Sequence, residues 1–337
     1  MTPTDTANRP VVVLAMFSGL ASALLGETMP RLRSVADVAD LEPLEHFDDP
    51  RADALLARAD VLLTGWLCPP ITDEVLERAP HLGLVAHAAG TVKDHVPPAV
   101  WARGVRVTSA AAANAVPVAE YTLAAILFSN KHVFTAREKY HRRREEMLLP
   151  LSAGNRSKTV GIVGASRVGR LVIDLLRPFE LDVVVYDPTL TPGAARELGA
   201  ELVELDELLE RSDVVSLHVP AVPSTTNMIA GPELACLRDG ATLINTARGA
   251  VVDHDALAAE LRTRRINAVL DVTLPEPLPA DSPLFDMPNV FLTPHIAGAT
   301  GAEIPRLAEL AVDEIERWAR GEPLQHEVLA DHLDRIA

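Results

Sequence analysis

The chain has 337 residues, too many for one ordinary core and suited to about two domains. Hydrophobic residues make up 48% and charged residues 23%, which excludes a disordered or low-complexity protein. A formal net charge of −16 argues against nucleic acid or an anionic membrane as partner, and any anionic ligand would need a locally positive pocket.

In chain order, Val11–Met16 is a short apolar run that predicts a buried strand, and Val61–Thr64, Leu84–His87 and Val105–Thr108 predict three more. Pro69 and Pro70 open a helix over Ile71–Arg78, and Pro80 closes it. This alternation predicts a small open α/β domain over residues 11–110. From Asn114 to about Tyr140 an Ala-rich pattern predicts one long helix. Val118, Leu123, Ala124 and Leu127 lie on its apolar face, and Glu120 interrupts it. Residues 142–146 read as a solvated charged stretch, and residues 150–157 as a loop.

A second α/β unit begins at Thr159. Its expected strands are Thr159–Val163, Val183–Tyr186, Val214–His218, Ala241–Asn245, Asn267–Leu270 and Val290–Leu292, with helices over Arg167–Leu176 and Asp253–Arg262. Five or six strands alternating with helices is the doubly wound pattern. Ala302–Arg320 predicts a last amphipathic helix, placed to cross back onto the first domain.

Cys68 and Cys236 lie far apart and form neither a disulfide framework nor a metal-ligand spacing. His87, His95, His132 and His141 make no ligand set on a helix, so no metal is expected. The first ten residues are polar, and no apolar run approaches the ~20 residues that span a bilayer. A soluble cytoplasmic protein is therefore expected.

The segment Gly164-Ala165-Ser166-Arg167-Val168-Gly169 follows a predicted strand and opens a helix, as a G-x-G-x-x-G dinucleotide fingerprint does. Gly164 would allow the tight turn, and Gly169 the close packing of helix on strand. Ser166 stands where the middle glycine normally lets the backbone approach a pyrophosphate. Its hydroxyl could donate to a phosphate, but a positive φ there would strain it. Asp187 ends the next strand, 18 residues after Gly169, where a carboxylate can bind the adenosine ribose hydroxyls and repel a 2′-phosphate. The cofactor is therefore expected to be NAD rather than NADP.

Three later segments carry the remaining chemistry: Asn245-Thr246-Ala247-Arg248-Gly249, Leu274-Pro275-Glu276-Pro277 and Thr293-Pro294-His295. They set one Arg, one Glu and one His at the ends of successive strands or loops. A cation, a carboxylate and an imidazole are what an enzyme needs to bind a 2-oxo acid and move a proton to its carbonyl.

With these stretches, and with Ala119-Glu120, Leu217-His218-Val219-Pro220, Leu270-Asp271-Val272 and Ala297-Gly298, the chain resembles the D-isomer-specific 2-hydroxyacid dehydrogenase family over most of its length. That family includes glyoxylate/hydroxypyruvate reductases and phosphoglycerate dehydrogenase. The resemblance implies two doubly wound parallel-sheet domains, Rossmann-like and flavodoxin-like, with a cleft between them whose closure would exclude water. A discontinuous substrate domain would take residues 1–117 and 299–337, and an NAD-binding domain residues 118–298.

The resemblance also implies roles. Arg248 would bind the substrate carboxylate and polarise the oxo group, for which its planar fork is suited. His295 would be the general acid in reduction and the base in oxidation, since imidazole titrates near neutrality. Glu276, 19 residues earlier, would hold its orientation and its proton. Asp271, Thr246 and Ala247 would meet the nicotinamide, and His218, Val219, Pro220 and Thr225 would line the cofactor cleft. The loop Ala88–Lys93 would be the substrate side, with backbone N–H groups at Ala89, Gly90 and Thr91 on the carboxylate. Thr91-Val92-Lys93 departs from the family's commoner Tyr-Asp or Thr-Asp after the glycine. Lys93 could meet a second anionic group or face solvent, and Trp66 could wall the pocket or pack in the core. A homodimer is expected, as in the family. Two other functions stay open. One is a non-catalytic NAD-sensing protein of the corepressor kind. The other is a phosphite or formate dehydrogenase, although the formate enzyme has Gln where this chain has Glu276.

Overall fold

The computed structural model describes residues 9–145 and 148–335. These divide into two compact units. One takes the chain up to Asn114 together with the segment from Ala299, and the other is Ala115–Gly298.

The first unit is built on five strands: β1 (Val11–Ala15), β2 (Asp37–Val38), β3 (Val61–Thr64), β4 (Leu84–His87) and β5 (Arg106–Ser109). All pair in parallel, in the order β2-β1-β3-β4-β5. Strands β3 and β4 are buried along their whole length, which is why they read as unbroken apolar runs rather than alternating ones. One face of the sheet, with Val13, Leu62, Val85 and Val107, packs on Val75 and Leu76 of the helix Asp73–Arg78. That helix starts two residues later than the sequence suggests, because Thr72 caps it: its Oγ1 accepts from the Val75 N–H at 3.3 Å. The other face, with Val12, Leu14, Leu63 and Ala86, is covered by Leu307, Ala308, Ala311, Val312 and Ile315 of the helix Pro305–Ala319. The last long helix does cross back to the first sheet. Beyond it, the Val328 N–H donates to the Val107 carbonyl at 2.7 Å. Glu314, fully buried on that helix, accepts from the N–H groups of Gln325 and His326.

The second unit has seven strands: β6 (Arg156–Val163), β7 (Glu180–Tyr186), β8 (Glu201–Leu202), β9 (Val214–Leu217), β10 (Thr242–Asn245), β11 (Asn267–Leu270) and β12 (Val290–Leu292). They too are all parallel, in the order β12-β11-β10-β9-β6-β7-β8. Strand order reverses between β6 and β9, and a doubly wound sheet binds ligands at the carboxyl ends of its strands around such a switch point.

Three expectations about the connecting helix are corrected. The single helix over 114–140 is two, Ala111–Asn130 and Val133–Arg143. His132 between them is left-handed, at φ 53°. The first helix ends because groups from further along the chain take its last carbonyls. The Gly154 N–H donates to Asn130 O at 2.8 Å, and the Asn155 side chain donates to Leu127 O at 3.2 Å. The apolar face is also rotated from the expected one. Val118, Ala119, Ala125 and Ile126 are buried, Leu123 and Leu127 are half-buried, and Ala124 is exposed. Finally, Ala111–Asn130 is 20 residues long and, by length and composition alone, apolar enough to cross a bilayer. In the fold, Ala119, Ala125 and Ile126 lie in a core with Val160, Ile162 and Ile244 of the second sheet.

Candidate active site

The fingerprint lies where β6 turns into the helix Arg167–Leu176. Gly164 has φ +98°, and a Cβ there would meet Val219 at 2.8 Å. A Cβ on Gly169 would lie 2.1 Å from the Gly164 carbonyl oxygen, so helix and turn can close only over a glycine. Ser166 carries no strain, since its φ is −65° and its backbone extended. It is the N-cap of the helix, its Oγ accepting from the Gly169 N–H at 3.4 Å. The next N–H groups, at Arg167 and Val168, belong to the first turn, where no intrahelical acceptor exists, and such a turn binds a phosphate.

Asp187 reaches back to this turn. One oxygen accepts from the Ala165 N–H at 2.8 Å, and the other from the N–H and hydroxyl of Thr189 at 2.8 and 2.7 Å. A carboxylate offers about four acceptor positions, so about one is left for a ribose hydroxyl. These residues fit a dinucleotide without a 2′-phosphate.

His218 and Val219 lie under the turn. His218 is buried, its Nε2 2.9 Å from Ser216 Oγ, and burial pushes its pKa down to about 3. It is a neutral core histidine. Thr225 shapes its own turn, donating to Pro220 O at 2.5 Å and accepting from the Val222 N–H at 3.0 Å.

The loops after β10, β11 and β12 carry Arg248, Glu276 and His295. Asn245, fully buried at the end of β10, braces the first loop, donating to Arg248 O at 2.9 Å and accepting from the Ala247 N–H at 3.0 Å. Thr246 Oγ1 lies 3.0 Å from Thr122 Oγ1. The half-buried Arg248 donates from Nη1 to Ala247 O at 2.7 Å. A Cβ on Gly249 would lie 2.1 Å from the carbonyl oxygen of Thr273, so this loop packs directly on the backbone of the loop that carries Glu276.

Glu276 and His295 are brought together, with His295 Nδ1 2.6 Å from Glu276 Oε1. A carboxylate only accepts, so Nδ1 carries a proton and Nε2 is the atom left to exchange one with a ligand. Neither side chain is enclosed, at 50% exposed for His295 and 40% for Glu276. Asp271, at the end of β11, is held by the loop after β12. It is 2% exposed, and its oxygens accept from Thr293 Oγ1, the Ile296 N–H and the Ala297 N–H at 2.6, 2.8 and 2.9 Å.

In the first unit, Ala88 and Ala89 are buried at the end of β4, while Gly90 and Thr91 are half-buried. Val92, where the loop departs from the family pattern, is fully buried and anchors it in the core. Lys93 is exposed, and Trp66 packs against the first unit's core. Sequence reading passed over two residues that shape the site, Tyr121 and His254, and gave Thr293 no role beyond its place beside His295. The Leu274 N–H donates to His254 Nε2 at 3.2 Å, and His254 Nδ1 lies 3.0 Å from Val252 O. No spacing rule flags such contacts, because each joins residues distant in the chain or assigned to a helix start.

Residues 123–297 match the D-isomer specific 2-hydroxyacid dehydrogenase family over its NAD binding domain. D-3-phosphoglycerate dehydrogenase of Mycobacterium bovis is 37% identical over 290 residues, which cover 85% of this chain and 54% of that protein. The chain thus spans about half the length of the phosphoglycerate dehydrogenases it matches. Glyoxylate reductase of Korarchaeum cryptofilum is 36% identical over 267 residues, covering 77% of this chain and 80% of that one. Among solved structures, a Treponema pallidum D-lactate dehydrogenase superposes with a TM-score of 0.76 at 26% identity, covering 95% of this chain and 99% of that one.

Proposed function

The chain belongs to the D-isomer specific 2-hydroxyacid dehydrogenase family, and from that premise we propose that it interconverts a 2-oxo acid and a D-2-hydroxy acid with NAD(H). The observation that carries this reading is the 2.6 Å hydrogen bond from His295 to Glu276, on the loop packed against that of Arg248, in the unit that holds the dinucleotide turn. Bound NADH would supply the hydride to C2 of the acid. His295 gives the proton to the developing alkoxide from Nε2, while Glu276 keeps Nδ1 protonated and stabilises the imidazolium. Arg248 binds the carboxylate and polarises the oxo group. The backbone N–H groups of Ala89, Gly90 and Thr91, at the carboxyl end of β4, are donors of the kind that binds a carboxylate. On the cofactor side, Gly164, Ser166, Arg167, Val168 and Gly169 take the pyrophosphate and Asp187 the ribose, while Val219, Pro220, Thr225, Thr246 and Ala247 flank the dinucleotide. We assign the protein to the cytoplasm, as a homodimer.

The test is purified protein with NADH, then NADPH, and a panel of 2-oxo acids, followed at 340 nm. NADH oxidation with at least one acid is expected. His295→Ala should lower turnover by roughly 10²–10⁴-fold, the loss typical of a missing general acid. Near-normal turnover in that variant would remove His295 from the role. Binding of NADH with no turnover on any acid would favour the sensing function instead.

A further inference from the structure

His295 has an exposed imidazole with a single hydrogen bond from its ring, yet its backbone is left-handed, at φ +54°. A residue with a Cβ needs help to hold that conformation, since its side chain crowds the backbone there. The ring is too open to be fixed by packing, so the backbone must be fixed instead. Asp271 does this from both sides. Its main-chain carbonyl accepts the His295 N–H at 2.9 Å, and its carboxylate holds the next two amides, Ile296 and Ala297.

The carboxylate is itself oriented. Thr293 Oγ1 lies 2.6 Å from Asp271 Oδ1 and 2.7 Å from the Tyr121 hydroxyl. Thr293 has one hydroxyl proton, and a carboxylate can only accept. Thr293 therefore donates to Asp271, and Tyr121 must donate to Thr293. Burial raises the Tyr121 pKa, which keeps it a donor through the neutral range. Tyr121 stands on the helix Ala111–Asn130, 172 residues from Thr293.

We propose that Tyr121 and Thr293 are positioning residues that act through Asp271 to lock His295 in its left-handed conformation, with its ring on Glu276. The catalytic part of this inference rests on the function proposed above. The structural part does not.

The test compares Tyr121→Phe, Thr293→Val and Thr293→Ser with the parent protein by three readouts: amide hydrogen exchange, kcat, and NADH affinity by fluorescence. In Thr293→Val the amides of Ile296 and Ala297 should exchange at least about tenfold faster, kcat should fall by about tenfold or more, and the NADH Kd should stay within about twofold. Tyr121→Phe should move the same readouts in the same direction. Thr293→Ser, which keeps the hydroxyl, should stay within about threefold of the parent. Parental exchange and kcat in Thr293→Val would overturn the proposal. So would exchange rising equally along β10 and β11, which general destabilisation gives, or a Kd that weakens in step with kcat. A serine variant as impaired as the valine one would overturn it too. If the parent reduces no 2-oxo acid, the function fails, and the exchange readout alone decides the clamp.

Discussion

A methyl group added to Gly249 would sit 2.1 Å from the carbonyl oxygen of Thr273 and 2.2 Å from its carbon. Both are backbone atoms and cannot swing aside, so one loop would have to move away from the other. Gly249→Ala should therefore cost about 1–3 kcal/mol in urea unfolding, the range of an overpacked core, and should lower kcat by parting Arg248 from the Glu276–His295 pair. An unchanged midpoint and kcat would show that the two loops move apart at no cost. At this scale the sequence singles out Arg248, Glu276 and His295 by residue type, and the structure brings Glu276 and His295 into contact. The sequence was not legible where a residue's task depends on what faces it. Nothing in the sequence around Asp271 announces that its oxygens accept from residues 293, 296 and 297. Ser166 reads as a defect in a glycine motif, and it is a helix cap.

Strands were the most legible elements. Val61–Thr64, Leu84–His87, Asn267–Leu270 and Val290–Leu292 have the expected bounds, and the first two, buried along their whole length, are continuous apolar runs. The two-residue strands β2 and β8 carry no pattern to read. The break at His132 was hidden because its cause, the capping by Gly154 and Asn155, lies beyond the helices it separates. The helix that follows, Val133–Arg143, has no buried residue. Phe134 joins it to β12 through a stacked ring pair with Phe291, centroids 4.4 Å apart. Tyr140 on the helix is exposed, as are Leu148 and Leu151 beyond it. A helix with no buried residue, next to exposed leucines, is what a subunit interface would leave on one chain. Light scattering should give twice the 36.2 kDa chain mass, and Tyr140→Asp with Leu151→Asp should halve it while the circular dichroism spectrum stays the same. A monomer mass for the parent protein would sink the dimer.

At the scale of the whole molecule, three of the described histidines are buried as neutral rings. Burial pushes His95 down to about 4 and His218 to about 3, and it holds His87 well below the usual value. In the unfolded chain each takes a proton near pH 6.5. Between about pH 6.5 and 4 the unfolded state thus binds more protons than the folded one, so stability falls as pH drops through that window and does not change on their account above it. The urea midpoint should be lower at pH 5 than at pH 7. His95→Phe should flatten the dependence, since His95 Nε2 has no hydrogen-bond partner to lose. The same slope in that variant would show that His95 is protonated in the folded chain.

The first sheet has a further consequence, for the order in which the molecule can be made. Its Val12–Leu14–Leu63–Ala86 face is covered partly by Ala21, Leu24, Leu25 and Leu32 and partly by a helix that begins only at Pro305. Residues 115–298 form their own unit and leave the ribosome before that helix does. The nascent chain therefore starts the first unit, completes the second, and only then supplies the cover of the first. Until then part of an apolar sheet face stands open during synthesis, and in that interval the chain is exposed to misassociation.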